Sequence, residues 1–323
     1  MARILIAGSG ALGSVFGGFL RLAGHAVTLL GRPAHLEAIR RHGMRIEGIW
    51  GTHHAGDFTV ATDVAAIDGS FDAVLLTVKS YDTRAMAQAV RSLLEQDGVG
   101  ISLQNGLGNA EVLAEEIGAE RVLAARVIFG AEVVEPGRVR VTVYADPVLV
   151  GAWRSSASPA EAARAHRWVS EFSAAGIPSE LALDIVPALW GKVLYNAALN
   201  PLGALLGVHY GALGADPNTR AIMDTVIAEA FAVAAAEGVA LAWPSAQDYC
   251  NTFYGRLLPS TFDHRSSMLQ DLERGRPTEV DAINGEVWRR GTARGIFTPT
   301  NELLTRLVHA REAQAQRPRS HDA

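Results

Sequence analysis

Lys192, Asn196 and Asn200 lie in the segment LWGKVLYNAALNPLGALLG, residues 189–207. At helical pitch they recur at i, i+4 and i+8 and form one stripe. The residues between them, Val193, Leu194, Tyr195, Ala197, Ala198 and Leu199, are mostly apolar. A lysine and two asparagines are costly to bury without partners. A solvated stripe on a surface helix normally mixes Glu, Lys, Arg and Gln, and asparagine is a poor helix former. An ammonium can donate a proton or stabilise negative charge, and an amide offers two donors and an acceptor. We therefore prefer a reading in which these three residues meet a ligand. Pro201 disfavours a straight continuation of the helix past Asn200.

A second chemistry-bearing stretch opens the chain. Gly8-Ser9-Gly10-Ala11-Leu12-Gly13 has the G-x-G-x-x-G spacing. It follows an apolar strand-like run, opens a helical run and precedes a second strand, the context a dinucleotide-binding loop requires. Gly8 permits the tight turn, Gly10 lets the backbone approach a pyrophosphate, and Gly13 lets the helix pack on the strand. The helix N-terminus adds free N–H groups and partial positive charge. An NAD site usually has an acid about 20 residues past the loop. Here the second strand ends Leu29-Leu30-Gly31-Arg32. Arg32 can instead pair with a 2′-phosphate, which favours NADP over NAD.

Two more polar positions follow apolar strands, where ligands of open α/β sheets bind. Lys79 closes AVLLTVK, and Asn105 follows GISLQ. Each can equally be a solvated lysine or a turn asparagine. In SSMLQDLERGRPTEVDAINGEVWRRG (266–291), Gly275 reads as a helix stop and Thr278 as the N-cap of the next helix. Glu279 then falls in a first turn, where the dipole favours a carboxylate. Ser266 and Ser267 can also be caps. The residues alone do not separate capping from ligand binding at these positions.

The elements that must position these groups divide the chain in two. Strand-like runs at 3–7, 26–30, 71–79 and 99–106 alternate with helical runs at 11–22 and 82–94, which predicts βαβ units and a parallel sheet. Strand-like runs over 121–153, with a turn at Pro136-Gly137, predict antiparallel strands added to one edge. From about Ile185 the segments read as helices: 187–200, 217–237, 244–255, 266–274, 278–294 and 300–313. The expected fold is α/β: a Rossmann-type dinucleotide-binding domain over 1–183, then an all-helical domain over 184–323. The polar tail AQAQRPRSHDA is expected to fray.

Composition agrees with a soluble globular protein. The 323 residues are 49% hydrophobic and 20% charged, with a formal net charge of -5. That balance argues against nucleic-acid binding through a basic field. The one cysteine, Cys250, can form neither an internal disulfide nor a cysteine-based zinc site, and no metal is expected. No run of about 18 apolar residues signals a membrane span. No leader is evident, and a cytoplasmic location is expected.

Taken in order, GSGALGS, the arginine after strand two, TVKSYDT, SLQNGLGN, LWGKVLYNAALNPLGALLG and SSMLQDLERGRPTEVDAINGEV resemble the ketopantoate reductase (2-dehydropantoate 2-reductase) family over nearly the whole chain. The last two segments are far more specific than the glycine loop. The resemblance implies NADPH-dependent reduction of a small 2-oxo acid in a cleft between the two domains. It makes Lys192 the general acid and Glu279 the active-site carboxylate. It makes Asn196, Asn200 and Ser267 substrate contacts, and Lys79 and Asn105 cofactor-cleft residues, Asn105 touching substrate as well. It aligns Val133 with a backbone contact to the cofactor. Tyr210 stands where better-studied members carry another substrate-contacting asparagine. A reductase of a different 2-oxo acid is therefore one rival reading, and a non-catalytic NADP-binding module another. Apolar helices in the second half allow a homodimer.

Overall fold

Residues 1–316 are described in a computed structural model of the chain. Contacts group the chain into two units. The first holds Met1–Gln104 and Gly108–Val186; the second holds Asn105–Leu107 and the chain from Pro187 on.

The first unit opens with β1 (Arg3–Ala7), α1 (Ala11–Leu22) and β2 (Ala26–Leu30), where the apolar runs place them. It continues through α2 (Pro33–His42), β3 (Met44–Gly48), β4 (His53–Ala55), β5 (Thr59–Ala61) and β6 (Phe71–Leu76). Next come α3 (Thr83–Val90), β7 (Leu94–Ser102), α4 (Asn109–Ile117), β8 (Val122–Glu135), β9 (Arg138–Ala152), α5 (Pro159–Ala174) and β10 (Ser179–Leu181). The strands make one sheet, in the order β4-β3-β9-β8-β7-β6-β1-β2-β5, with β10 against β9. From β5 through β8 every pairing is parallel. β8 and β9 form a long antiparallel hairpin. It is not an edge addition: β3 pairs with β9, and β4 with β3, so the hairpin is interior.

The mixed sheet curls around α1, which packs against β1, β2, β3, β4, β8 and β9. Ile4, Ile6, Leu75, Ile101 and Leu123 join Phe16 and Phe172 in one buried cluster on this side. Each such side chain contributes roughly 1.5–3 kcal/mol. On the other face, a Cβ at Gly100 would stand 2.6 Å from Ile117 Cδ1, so α4 sits directly on β7. The helices thus cover both faces of the parallel strands, as two-sided apolar strands require.

The second unit holds α6 (Val186–Leu206), α7 (Tyr210–Ala215), α8 (Pro217–Ala236), α9 (Ala246–Thr252), α10 (Ser267–Glu273), α11 (Asn284–Ala293) and α12 (Pro299–Gln316). Of the tail expected to fray, 313–316 continue α12 and the remainder lies outside the described residues. Among the described residues, no helix is long and apolar enough to cross a membrane.

Two expectations are corrected here. α6 does not stop at Asn200 but runs through Pro201 to Leu206. Proline lacks the N–H that would serve the carbonyl four residues back. That acceptor, Ala197 O, instead receives the side-chain Nδ2 of Asn284 at 3.1 Å. Nor is 278–294 one helix. A 3₁₀ turn at Val280–Ala282 precedes α11, with Ile283 at φ -107, ψ -92 between them. In a continuous helix Ala282 O would accept from the residue four positions on. Here it accepts from Leu107 N at 2.8 Å.

Candidate active site

α6 is apolar almost all round, with Trp190, Val193, Leu194, Ala197, Ala198, Leu199 and Leu202 buried. Such a helix belongs in a core. Its polar stripe is buried with it: Lys192 is half-buried, Asn196 is 9% exposed and Asn200 is 5% exposed. Lys192 Nζ donates to Asn105 Oδ1 at 2.7 Å. Asn105 Nδ2 donates to Glu279 Oε2 at 3.4 Å, and Glu279 is itself buried. Lysine, asparagine and glutamate, from three distant parts of the sequence, form one hydrogen-bonded line.

The position of Asn105 depends on its neighbour. Gly106 adopts φ +88, and a Cβ there would lie 2.2 Å from Ala282 O. Only glycine tolerates both the left-handed backbone and the close approach. Leu107 N then bonds to the same carbonyl, tying 105–107 to the turn beside Glu279.

Farther along α6, the Asn196 side chain has no hydrogen bond among the described residues. Asn200 Oδ1 accepts from the Tyr210 hydroxyl at 2.6 Å, while its Nδ2 has no partner among the described residues. Buried amides are normally paired, so these groups are available to a bound molecule. Burial pushes the pKa of Tyr210 well up and that of Tyr195, across from it, to about 12. Both remain phenols, not phenolates.

Of the two serines, Ser266 is the cap. Its fully buried Oγ accepts from Leu269 N at 3.0 Å and donates to Asn200 O at 3.4 Å. Ser267 begins α10 and is exposed. Thr278 Oγ1 accepts from Val280 N at 3.3 Å, but the residue at the N-cap is Glu279 and it opens a 3₁₀ turn, so Thr278 is not the helix cap and Glu279 is not in the first turn of a helix as the sequence predicts. Ser266 is one of the two cap candidates read from the sequence; the supporting side chain Asn284 carries no distinct mark there, its nearest signal being the proline inside α6.

The first unit holds the glycine loop. Gly8 has φ +114 and lies against the Thr77-Val78 backbone, where a Cβ would stand 2.6 Å from Val78 N. Gly8 and Ser9 N–H groups both donate to Leu30 O, and Ser9 Oγ reaches it at 3.0 Å. A Cβ at Gly13 would strike Gly8 O at 2.3 Å, so loop and helix are in direct contact. A Cβ at Gly10 would meet nothing within 4 Å. The loop is therefore open where a ligand backbone contact is expected. The amides of Ala11, Leu12 and Gly13 belong to the first turn of α1, which an α-helix leaves without intrahelical acceptors. Gly31 packs against Ser9, with 2.9 Å between its would-be Cβ and Ser9 Cβ. That contact puts exposed Arg32 next to the loop. Lys79 follows Thr77-Val78, three residues past the end of β6, not on the strand itself. Val133 lies on β8 near the hairpin turn, paired with Val139 and 41% exposed. Open glycine, helix start and neighbouring guanidinium fit a dinucleotide with its phosphates on the loop.

Comparison with known proteins gives matches over the full length. A model of the family described as ketopantoate reductase PanE/ApbA matches residues 4–155, and that of its C-terminal part matches residues 184–312. The 2-dehydropantoate 2-reductase of Aquifex aeolicus (strain VF5) is 38% identical over 312 residues, which is 96% of this chain and 97% of that one. The crystal structure of a PanE/ApbA family ketopantoate reductase from Ralstonia eutropha JMP134 is 34% identical, with a TM-score of 0.86 over 98% of this chain and 100% of that chain. A ternary structure of D-mandelate dehydrogenase with NADH and anilino(oxo)acetate is 28% identical, also with a TM-score of 0.86, over 98% and 100% of the two chains.

Proposed function

The chain belongs to the ketopantoate reductase family and is an oxidoreductase acting on CH–OH groups, and from this we propose that it reduces 2-dehydropantoate to (R)-pantoate with NADPH, in pantothenate and coenzyme A biosynthesis. The observation that carries the reading is the Lys192 Nζ to Asn105 Oδ1 bond of 2.7 Å, beside buried Glu279. It holds one ammonium on a helix whose next two polar residues are buried amides with unused hydrogen-bonding groups.

We assign a dinucleotide-binding domain to 1–183 and a helical catalytic domain to 184–323. Gly8, Ser9, Gly10, Ala11, Leu12 and Gly13 hold the pyrophosphate, and Arg32 holds the 2′-phosphate. Lys79, Asn105 and Val133 complete the cofactor contacts. The choice of NADPH over NADH rests on Arg32 and on the absence of an acid at the end of β2. When bound, NADPH supplies the hydride.

The chain's own residues supply position and a proton. Asn196, Asn200 and Ser267 hold the substrate carboxylate, which orients the ketone. Lys192 stabilises negative charge on the carbonyl oxygen and transfers a proton to it as the hydroxyl forms. Asn105 keeps the Lys192 ammonium in place, and Glu279 fixes the Asn105 amide from its other end.

Reduction of a different 2-oxo acid is the second reading. Tyr210 supports it: an aromatic ring stands at the position where the family resemblance implies an asparagine, in contact with Asn200. The test is oxidation of NADPH, followed by absorbance, with ketopantoate and several bulkier or aromatic 2-oxo acids. Ketopantoate is expected to give the highest kcat/KM. A clear preference for an aromatic 2-oxo acid selects the second reading, and cofactor binding without oxidation by any 2-oxo acid contradicts both.

A further inference from the structure

Tyr210 sits at the start of α7 and is 3% exposed. Its ring is held edge-on against Tyr195, with 5.8 Å between centroids, and lies 5.1 Å from the His264 ring. Its backbone N–H donates to His264 O at 3.0 Å. A ring fixed on these sides has little freedom to redirect its hydroxyl. A buried phenol needs an acceptor for its proton. Among the described residues, the oxygen within reach is Asn200 Oδ1, at 2.6 Å. The hydroxyl therefore donates, and the amide oxygen of Asn200 is committed to it. An amide carries its acceptor on the oxygen and its donors on the nitrogen, so with Oδ1 committed to Tyr210 the Nδ2 donors are what Asn200 has left to offer.

We propose that Tyr210 is a positioning residue that locks Asn200 as a pure hydrogen-bond donor, so that the site requires an acceptor-only group, a carboxylate, at that point of the substrate. The inference rests on the reductase reading above and names a feature of the same site. Without the lock, the Asn200 amide can turn and offer its oxygen, and a carboxamide becomes as acceptable as a carboxylate. The hydroxyl thus sets which functional group the site accepts, while the ring fills space.

The test compares ketopantoate with its primary carboxamide. Calorimetry measures binding of each to the protein loaded with NADP⁺, and steady-state rates with NADPH give kcat and KM. The wild type is expected to prefer the acid. Tyr210→Phe is expected to reduce that preference about tenfold, the size of one lost hydrogen bond, with the change in KM and in binding rather than in kcat. A purely structural role would lower the melting temperature and leave the acid-to-amide ratio where it was, and that result overturns the proposal. If Tyr210→Phe does not fold, Asn200→Asp decides. Its second carboxylate oxygen replaces the donor, so the preference should invert toward the carboxamide. Retained preference for the acid in Asn200→Asp overturns the proposal. The binding ratio judges this inference even if no 2-oxo acid is turned over, an outcome that contradicts the reductase reading instead.

Discussion

Asn284 Nδ2 donates to Ala197 O at 3.1 Å, the carbonyl that Pro201 leaves without a helical donor. The same nitrogen reaches Asn301 Oδ1 at 3.0 Å, and Asn301 Nδ2 bonds Glu229 at 2.7 Å. This buried chain keeps α6 continuous through the residues that carry its polar stripe. Asn284→Ala should therefore destabilise the protein by about 1–3 kcal/mol, the cost of an orphaned buried acceptor. In a Pro201→Ala background the new N–H serves Ala197 O, and the cost of Asn284→Ala should fall by about 1 kcal/mol. Urea unfolding of the four proteins in the cycle measures this. Full additivity would refute the coupling.

Gly106 makes a second, sharper prediction. Gly106→Ala places a methyl group on Ala282 O in a backbone region that alanine resists. The segment 105–107 must move off the turn beside Glu279, taking Asn105 from Lys192. kcat/KM should drop by at least about tenfold, the value of one catalytic hydrogen bond. Wild-type kinetics in this variant would show that the Asn105 position is not needed.

In the proposed assignment, Arg32 separates the two nicotinamide cofactors. Arg32→Ala should raise the KM for NADPH about tenfold or more, through loss of a charge-assisted contact, and should leave that for NADH within a few fold. The NADPH effect should shrink as ionic strength rises, because the guanidinium is exposed. Equal losses with both cofactors would contradict the assignment.

His309 gives a pH-dependent prediction. Nδ1 lies 2.9 Å from Glu312 and Nε2 2.9 Å from Asp281, and Glu312 also accepts from Thr278 N at 2.6 Å. Burial alone would lower its pKa, but hydrogen bonds and charge from Glu312 and Asp281 outweigh it and hold the imidazole above its ordinary 6.5. A group with a raised folded pKa binds its proton more tightly when folded. Its contribution is complete below 6.5 and is lost as pH rises through the folded value. Urea unfolding of wild type and His309→Gln should show a stability gap that narrows between about pH 6 and 8. A gap that widens with pH would contradict the pairing of His309 with Glu312 and Asp281.

The glycine loop, the first two strands and the α6 stripe were legible because each is a local pattern: spacing along one element sets the chemistry. The strands β4, β5 and β10 were not, since three residues give too few alternations to read a period, and β3 (MRIEG) lacks the continuous apolar run that marks β1 and β2. The break before α11 was hidden because its cause, Leu107 N on Ala282 O, joins residues far apart in sequence. The run of α6 through Pro201 was hidden for the same reason, since Asn284 rescues it from 87 positions away. Asn105 and Lys192 could each be singled out, but not their contact, again across 87 positions. Ser266 and Ser267 are adjacent and chemically identical, so only burial tells which one caps α10.

Proton delivery from the Lys192 ammonium to the new hydroxyl is the central step of the mechanism we propose. The decisive experiment is Lys192→Ala assayed with NADPH and ketopantoate, with NADPH affinity measured in parallel by fluorescence. The expected result is a fall in kcat of roughly 10²–10⁴-fold, the usual worth of a positioned general acid, with NADPH affinity within a few fold of wild type. Turnover close to wild type in a variant that still binds NADPH would contradict the role of Lys192.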